Sequence, residues 1–473
     1  MPNAKQFFLN LCTIPRPSGG EAAVVDYLFQ TLTDFGYAPE RDAANNLRCC
    51  IPATIGCDDV PCVALQAHTD MVCVAAPGAD YRPGLDPVKT VEQDGWLCSD
   101  GRSTLGADNG AAVAIMLSIA QQPPEKHGAI LLLFTTAEEQ GMVGVREVSP
   151  KWLEGVSYLI NLDSFQSSPA ICGSAGGLRQ SWSRNIEREP LEEGNWLKIS
   201  LSNLTGGHSG YDIHQNRGNA VTLLAKFLRM CPCRVASFNG GSNFNAIPTW
   251  AEAVVAVADK DAFRASAQAW RAHLFRHYHD TDPDFTGALT DAVPEETAWS
   301  AETADDVLSF LTALPQGVVT QFPDSSTADS GNPAVVRTDG DAVTVQHFAR
   351  ASTMDSQQQT ETKTAELAEQ SHFVRIQRTS YNPWEPAENN TLFQLVQRCY
   401  LAQHGSELGA ERVHVGLECA LLLEKAPDMQ VIALGCNIKD AHAVTERLEL
   451  ASFAELETLL RSTLQTIAEE ETR

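Results

Sequence analysis

The sequence contains no apolar run of the roughly 20 residues that a membrane-spanning helix needs. Its apolar stretches, such as AILLLF at 129–134, have the length of a strand or of one face of a helix. It also lacks any cluster of Lys and Arg. The 34 basic residues face 60 acidic ones, for a formal charge of −26 and a pI near 4.8. A nucleic-acid surface or an anionic-membrane surface needs a basic stripe, so neither is expected as a partner. No Cys-x-x-Cys occurs among the 13 cysteines, whose number is odd and whose places are irregular. That pattern suggests neither a disulfide framework nor a zinc ribbon, and reduced, packed thiols are the expectation. Cys231 and Cys233 flank a proline but have no second pair to complete a metal site. The stretch MPNAKQFFLNLCTIPRPSGG has one lysine and no apolar core leading to a small-residue exit, so a cytoplasmic location is expected.

What is present is enough chain for two domains, since 473 residues exceed one ordinary core. Strand and helix patterns alternate through the first 185 residues. PCVALQAHTDM (61–71), ILLLFTT (130–136) and VSYLINLDS (156–164) read as strands, and GAAVAIMLSIAQQ (110–122) as an apolar helix stopped by Pro123-Pro124. Ser18 and Glu21 have capping-box spacing before AAVVDYLFQTLTDF, and Gly36 closes that helix. Near 195 the texture changes to strand–helix units, and segment 281–345, rich in Asp, Thr, Gly and Pro, is expected to carry long loops. After about 390 the first texture returns with MQVIALG and LASFAELETLLRSTLQTI. The predicted fold class is α/β: a layered domain with a mainly parallel sheet, interrupted by an inserted α+β domain. The expected boundaries are 1–190 and 389–473 for the two parts of the layered domain and 191–388 for the insertion.

Two adjacent carboxylates, Glu138 and Glu139, stand at the mouth of the apolar strand ILLLFTT. Like charges there cost free energy unless a cation offsets them. Four other strand or loop ends bring matching groups: His68 and Asp70 in LQAHTDM, Asp108 in TLGADNG, Asp163 in NLDS, and His442 in IKDAHAV. Imidazole with carboxylate suits zinc or a neighbouring first-row ion. The count closes two sites: Asp108 shared, His68 with Asp163 on one ion, His442 with Glu139 on the other. Such a pair activates water. Glu138 is left over, in the position of a general base, and Asp70 can accept the other N–H of His68.

This HTD…ADNG…AEEQGM…NLDS…H series resembles the dinuclear zinc exopeptidases that include carboxypeptidase G, acetylornithine deacetylase and carnosinase-like dipeptidases. IPRPSGGE, PERDAANNL, TLGADNGAAVA, LTGGHSGYDIHQNRGNA, FNAIPTWAE and HVGLECALL are similar to its aminoacyl-histidine dipeptidase (cytosol non-specific dipeptidase) branch, and the likeness runs from near 10 to near 450. The resemblance implies a catalytic domain with two divalent ions, zinc first and cobalt or manganese as alternatives. It also implies an inserted lid domain used for homodimerisation, and hydrolysis of unblocked dipeptides of the Xaa-His type. His68, Asp108, Glu139, Asp163 and His442 match the family's metal positions, and Asp70 and Glu138 its catalytic pair. His208 of GGHSG matches a histidine that stabilises the oxyanion, in cis or from a partner subunit. Asn245 and Arg350 match contacts to the substrate backbone and carboxylate, and Glu418 of GLEC a carboxylate for the substrate amine; the competing readings are a surface charge for Arg350 and a buried ion pair for Glu418. The chain departs from the branch at His442-Ala-Val, where His-Ser-Pro is usual. It departs again at Phe165, where an acid is usual, and in LGCNIKD, which lacks Gly-Pro. No ligand is lost, but the dipeptide preference is left open. Two rival readings stand beside this one: an N-acyl-amino-acid deacylase of the same fold, and a non-catalytic relative.

Overall fold

The computed structural model describes residues 4–191 and 194–471. The chain forms two compact units. One comprises the chain up to Ser174 together with Trp384–Val413 and everything from Leu417; the other comprises Ala175–Pro383 with His414–Gly416.

The first unit is built on an eight-stranded sheet. Its order is Glu40–Arg41, Leu47–Ile51, Ile130–Thr135, Cys62–His68, Val156–Ser164, Gln430–Gly435, Ala170–Ser174 and Ala410–Val413. The four central strands run parallel, with His68 beside Thr135 and Gly435 beside Ser164. Ile130–Thr135 is buried along its whole length, as a parallel strand covered on both faces must be. The helix Ala107–Gln121 is also buried on nearly every side, which explains its apolar sequence. Phe8, Leu28, Leu65, Phe134, Ile160 and Ile432 belong to the one core that these elements share. Because the central strands are parallel, their carboxyl ends lie at one edge, where loops gather and sites form.

The second unit carries a nine-stranded antiparallel sheet running from Thr286–Asp291 at one edge to Val374–Tyr381 at the other. Its own core includes Trp182, Phe227, Phe238, Trp299 and Phe310. The units divide at 174/175 and 383/384, where the sequence suggested 190/191 and 388/389. The strand Gly176–Asn185 explains the first difference: it pairs with both Ala342–Ala351 and Val374–Tyr381, inside the second sheet. The long loops expected over 281–345 are not found. That segment holds the helix Ala301–Ala313 and the strands Gly317–Gln321 and Thr327–Asp339. Its turn-forming residues mark tight connections, such as Gly340-Asp341 between paired Asp339 and Ala342, with Gly340 at φ +55°.

Candidate metal centre

The carboxyl edge of the first sheet gathers the residues singled out in the sequence. His68 ends its strand, Asp163 is next to last in Val156–Ser164, and Asp108 opens the helix Ala107–Gln121. Glu138 and Glu139 follow Ile130–Thr135, and His442 stands beyond Gln430–Gly435 at φ +66°. Asp108 faces both imidazoles, one through each oxygen: Oδ1 is 3.1 Å from His68 Nε2 and Oδ2 is 3.0 Å from His442 Nε2. Asp163 Oδ1 lies 3.7 Å from His68 Nε2, and Glu139 Oε1 lies 2.7 Å from His442 Nε2.

Two donor sets at this edge share Asp108, His68/Asp108/Asp163 and Asp108/Glu139/His442, and a third joins His68 to Glu138 and Glu139; in each the ligand atoms lie within 4.8 Å of one another. Asp108, Asp163, Glu138 and Glu139 bring four carboxylates to one edge, where bound cations would offset the cost of burying their charge. The residues thus fit a pair of divalent cations in donor type and in number. Their own electrostatics are strained. Burial disfavours the charged form of His68, but Asp163, Asp108 and Asp70 outweigh it and hold its pKa well above the ordinary value. Burial pushes Glu138 well up, and it pushes Glu139 up to about 7 against the pull of His442.

Asp70 holds the loop of adjacent glutamates. Its Oδ1 accepts the Glu138 N–H at 3.1 Å and its Oδ2 the Glu139 N–H at 3.2 Å, while Oδ1 also stands 3.2 Å from His68 Nδ1. Ser18 Oγ donates to Asp70 Oδ2 at 2.7 Å. Burial opposes the Asp70 carboxylate, yet His68 and these donors bring its pKa down to about 2. Ser18 and Glu21 do not make the capping box that their spacing suggested. The helix Ala22–Asp34 begins without a side-chain cap, and Glu21 Oε1 instead accepts the N–H groups of Gly19 and Ala137, each at 2.8 Å. Both side chains serve the metal-centre loops, a role that sequence spacing could not distinguish from capping.

Residues 64–466 match the model of Peptidase family M20/M25/M40. The chain belongs to this peptidase family. It is 29% identical over 469 residues to the cytosol non-specific dipeptidase of Escherichia coli K12, covering 97% of this chain and 96% of that one. The crystal structure of aminoacylhistidine dipeptidase from Vibrio alginolyticus superposes with a TM-score of 0.83 at 29% identity, covering 98% and 96% of the two chains. Human carnosine dipeptidase 1 shares the fold, with a TM-score of 0.52 at 13% identity and coverage of 98% and 96%.

Of the remaining candidates in this family member, three gather in the second unit. His208 Nδ1 accepts the N–H groups of Gly210 and Tyr211 at 3.2 and 3.1 Å. The Asn245 carbonyl accepts the Ser209 N–H at 2.7 Å, which ties that loop beside His208. Arg350 is buried rather than a surface charge; its Nη1 donates to Tyr381 Oη at 3.2 Å and its Nη2 lies 3.5 Å from His208 Nε2. Glu418 belongs to the first unit. It is fully buried, its Oε2 receives Gln66 Nε2 and Thr135 Oγ1, and burial raises its pKa to about 7. It braces two neighbouring strands and offers no exposed carboxylate to an amine.

Proposed function

We propose that the protein is a metal-dependent dipeptidase that hydrolyses unblocked dipeptides, Xaa-His and related. The observation that carries this reading is the Asp108 carboxylate, placed with one oxygen on each imidazole, with Glu138 beside the donor sets yet outside the two that share Asp108. The names of the two relatives at 29% identity, both dipeptidases, support the substrate class. His68, Asp108 and Asp163 would hold one ion, and Asp108, Glu139 and His442 the other. Bound there, zinc, or cobalt or manganese in its place, supplies Lewis acidity that makes water nucleophilic near neutral pH. Glu138 takes the proton of the attacking water. It then delivers that proton to the leaving amine as the C–N bond breaks, so that two free amino acids result. Asp70 orients His68 and pins the amides of Glu138 and Glu139. His208 is the donor for the developing oxyanion. Arg350 takes the substrate carboxylate and Asn245 its backbone. The second unit acts as the lid and as the surface of a homodimer, in a cytoplasmic enzyme.

The test is hydrolysis of Ala-His, β-Ala-His, Gly-Leu and N-acetyl-Leu by chelator-stripped protein titrated with Zn²⁺, Co²⁺ or Mn²⁺. The expected result is metal-restored cleavage of the free dipeptides with N-acetyl-Leu untouched. Cleavage of N-acetyl-Leu alone would move the protein to the deacylases, and no turnover with any ion would reject the reading.

A further inference from the structure

Two buried charges join the loops of the first unit that carry His68, Asp108 and His442, and the reaction uses neither. Arg16 is 1% exposed. Its Nη1 donates to the carbonyls of Thr69 and Asp70, each at 3.0 Å and immediately beyond His68. Its Nη2 donates to the carbonyl of Gly106, two residues before Asp108. Glu446, 2% exposed, lies four residues beyond His442. One of its oxygens accepts the N–H groups of Leu105 and Gly106 at 2.8 and 2.9 Å, and the other accepts that of Asp108 at 3.2 Å. Gly106 is thus gripped from both sides, its carbonyl by a cation and its N–H by an anion. Glycine is required there: φ is +75°, and a Cβ would come within 2.7 Å of Arg16 Nη2. Gly110 makes room for the same guanidinium, since its Cβ would collide with Nη2.

We propose that Arg16 and Glu446 form a positioning clamp that sets the spacing of His68, Asp108 and His442, and so fixes the affinity of the centre for its paired ions. The proposal rests on the dinuclear reading above. Stability alone does not account for the pair. Burying a charge carries a desolvation cost that its hydrogen bonds must offset, and Arg16 Nε has no hydrogen-bond partner among the described residues. What the two charges achieve is register. Arg16 ties the segment after His68 to the segment before Asp108, and Glu446 ties the segment after His442 to the same turn. The Glu446 carboxylate also sits at the N-terminus of the helix Ala107–Gln121, where the aligned peptide dipoles favour an anion. A slip of either loop would pull one Asp108 oxygen away from its imidazole. Orienting partners of this kind change metal affinity by roughly 10–100-fold when removed.

The experiment compares full-length wild type with Glu446→Gln, Arg16→Lys and the core control Leu456→Ala. Zn²⁺ and Co²⁺ affinities are read by competition with a chromophoric chelator, and thermal midpoints are recorded alongside. Both clamp variants are expected to bind at least one ion roughly 10–100-fold more weakly. Leu456→Ala is expected to lose thermal stability and keep wild-type affinity. Clamp variants that fold and bind both ions as wild type does would overturn the proposal. Should either fail to fold, Gly110→Ala crowds Arg16 while leaving both charges, and wild-type affinity there would overturn it equally. Wild type binding two ions with unchanged variants sinks the clamp alone; wild type binding none sinks the dinuclear reading and the clamp with it.

Discussion

At the scale of single residues, Asp70 separates the fates of two glutamates that look equivalent in sequence. Both backbone amides bond to its carboxylate, so the two side chains start from one fixed turn, and a carboxylate oxygen of each lies within 4.8 Å of a His68 ring nitrogen. Glu139 reaches His442 at 2.7 Å, whereas Glu138 falls in neither of the two donor sets built on Asp108. That geometry predicts a split between binding and turnover. Glu138→Gln keeps the shape and removes the base, so kcat should fall by about 10²–10⁴-fold, the contribution usual for a positioned proton carrier. Metal content, measured by atomic absorption after dialysis, should stay at the wild-type value. Activity surviving in Glu138→Gln would show that another group carries the proton.

At the scale of elements, the turn bearing those glutamates is held at its ends by Asn46. Its Oδ1 accepts the Thr136 N–H at 3.1 Å, and its Nδ2 donates to the Gly144 carbonyl at 2.8 Å. Asn46→Ala would leave two buried backbone groups unpaired and should cost about 1–3 kcal/mol per lost partner. Urea unfolding should show that loss, and kcat should drop with it because Glu138 rides on the turn; an unchanged kcat would mean that Asp70 alone positions the base. Asn46 also marks the limit of what the sequence discloses. The strands Cys62–His68, Ile130–Thr135 and Val156–Ser164 were legible because parallel strands leave continuous apolar runs, and their polar ends stood out against them. Partners that are distant in sequence and make backbone contacts left no such trace. Asn46, Arg16 and Glu446 act on amides and carbonyls, which every residue possesses, so no spacing rule points to them. Ser18 and Glu21 were visible but misread, because a capping box and a pair of loop anchors share one spacing. The segment 281–345 failed for a related reason: turn-forming composition reports where strands end, not that they are missing.

At the scale of the whole molecule, the second unit buries histidines that make it sensitive to acid. The second unit buries His347 completely; Nε2 lies 3.0 Å from the Pro315 carbonyl and Nδ1 has no hydrogen-bond partner among the described residues. Burial pushes its pKa down to about 4 against an ordinary 6.5. His414 in the same unit is held down to about 3, first by burial and then by Arg350. Between the folded and unfolded values the unfolded chain binds the extra proton, so stability is complete above about pH 6.5 and declines as pH falls. For His347 alone, the loss reaches about 3 kcal/mol by the time pH nears its folded pKa, and it levels off below. Five of the eight tryptophans, Trp182, Trp196, Trp250, Trp270 and Trp299, lie in this unit, so fluorescence weights its unfolding. The urea midpoint followed by tryptophan emission should therefore fall steadily from pH 7 to pH 4.5. His347→Gln can still donate to Pro315 and cannot take up a proton, so its midpoint should fall less steeply over the same range. Parallel pH curves for the two proteins would mean that His347 is not among the groups through which acid unfolds the second unit.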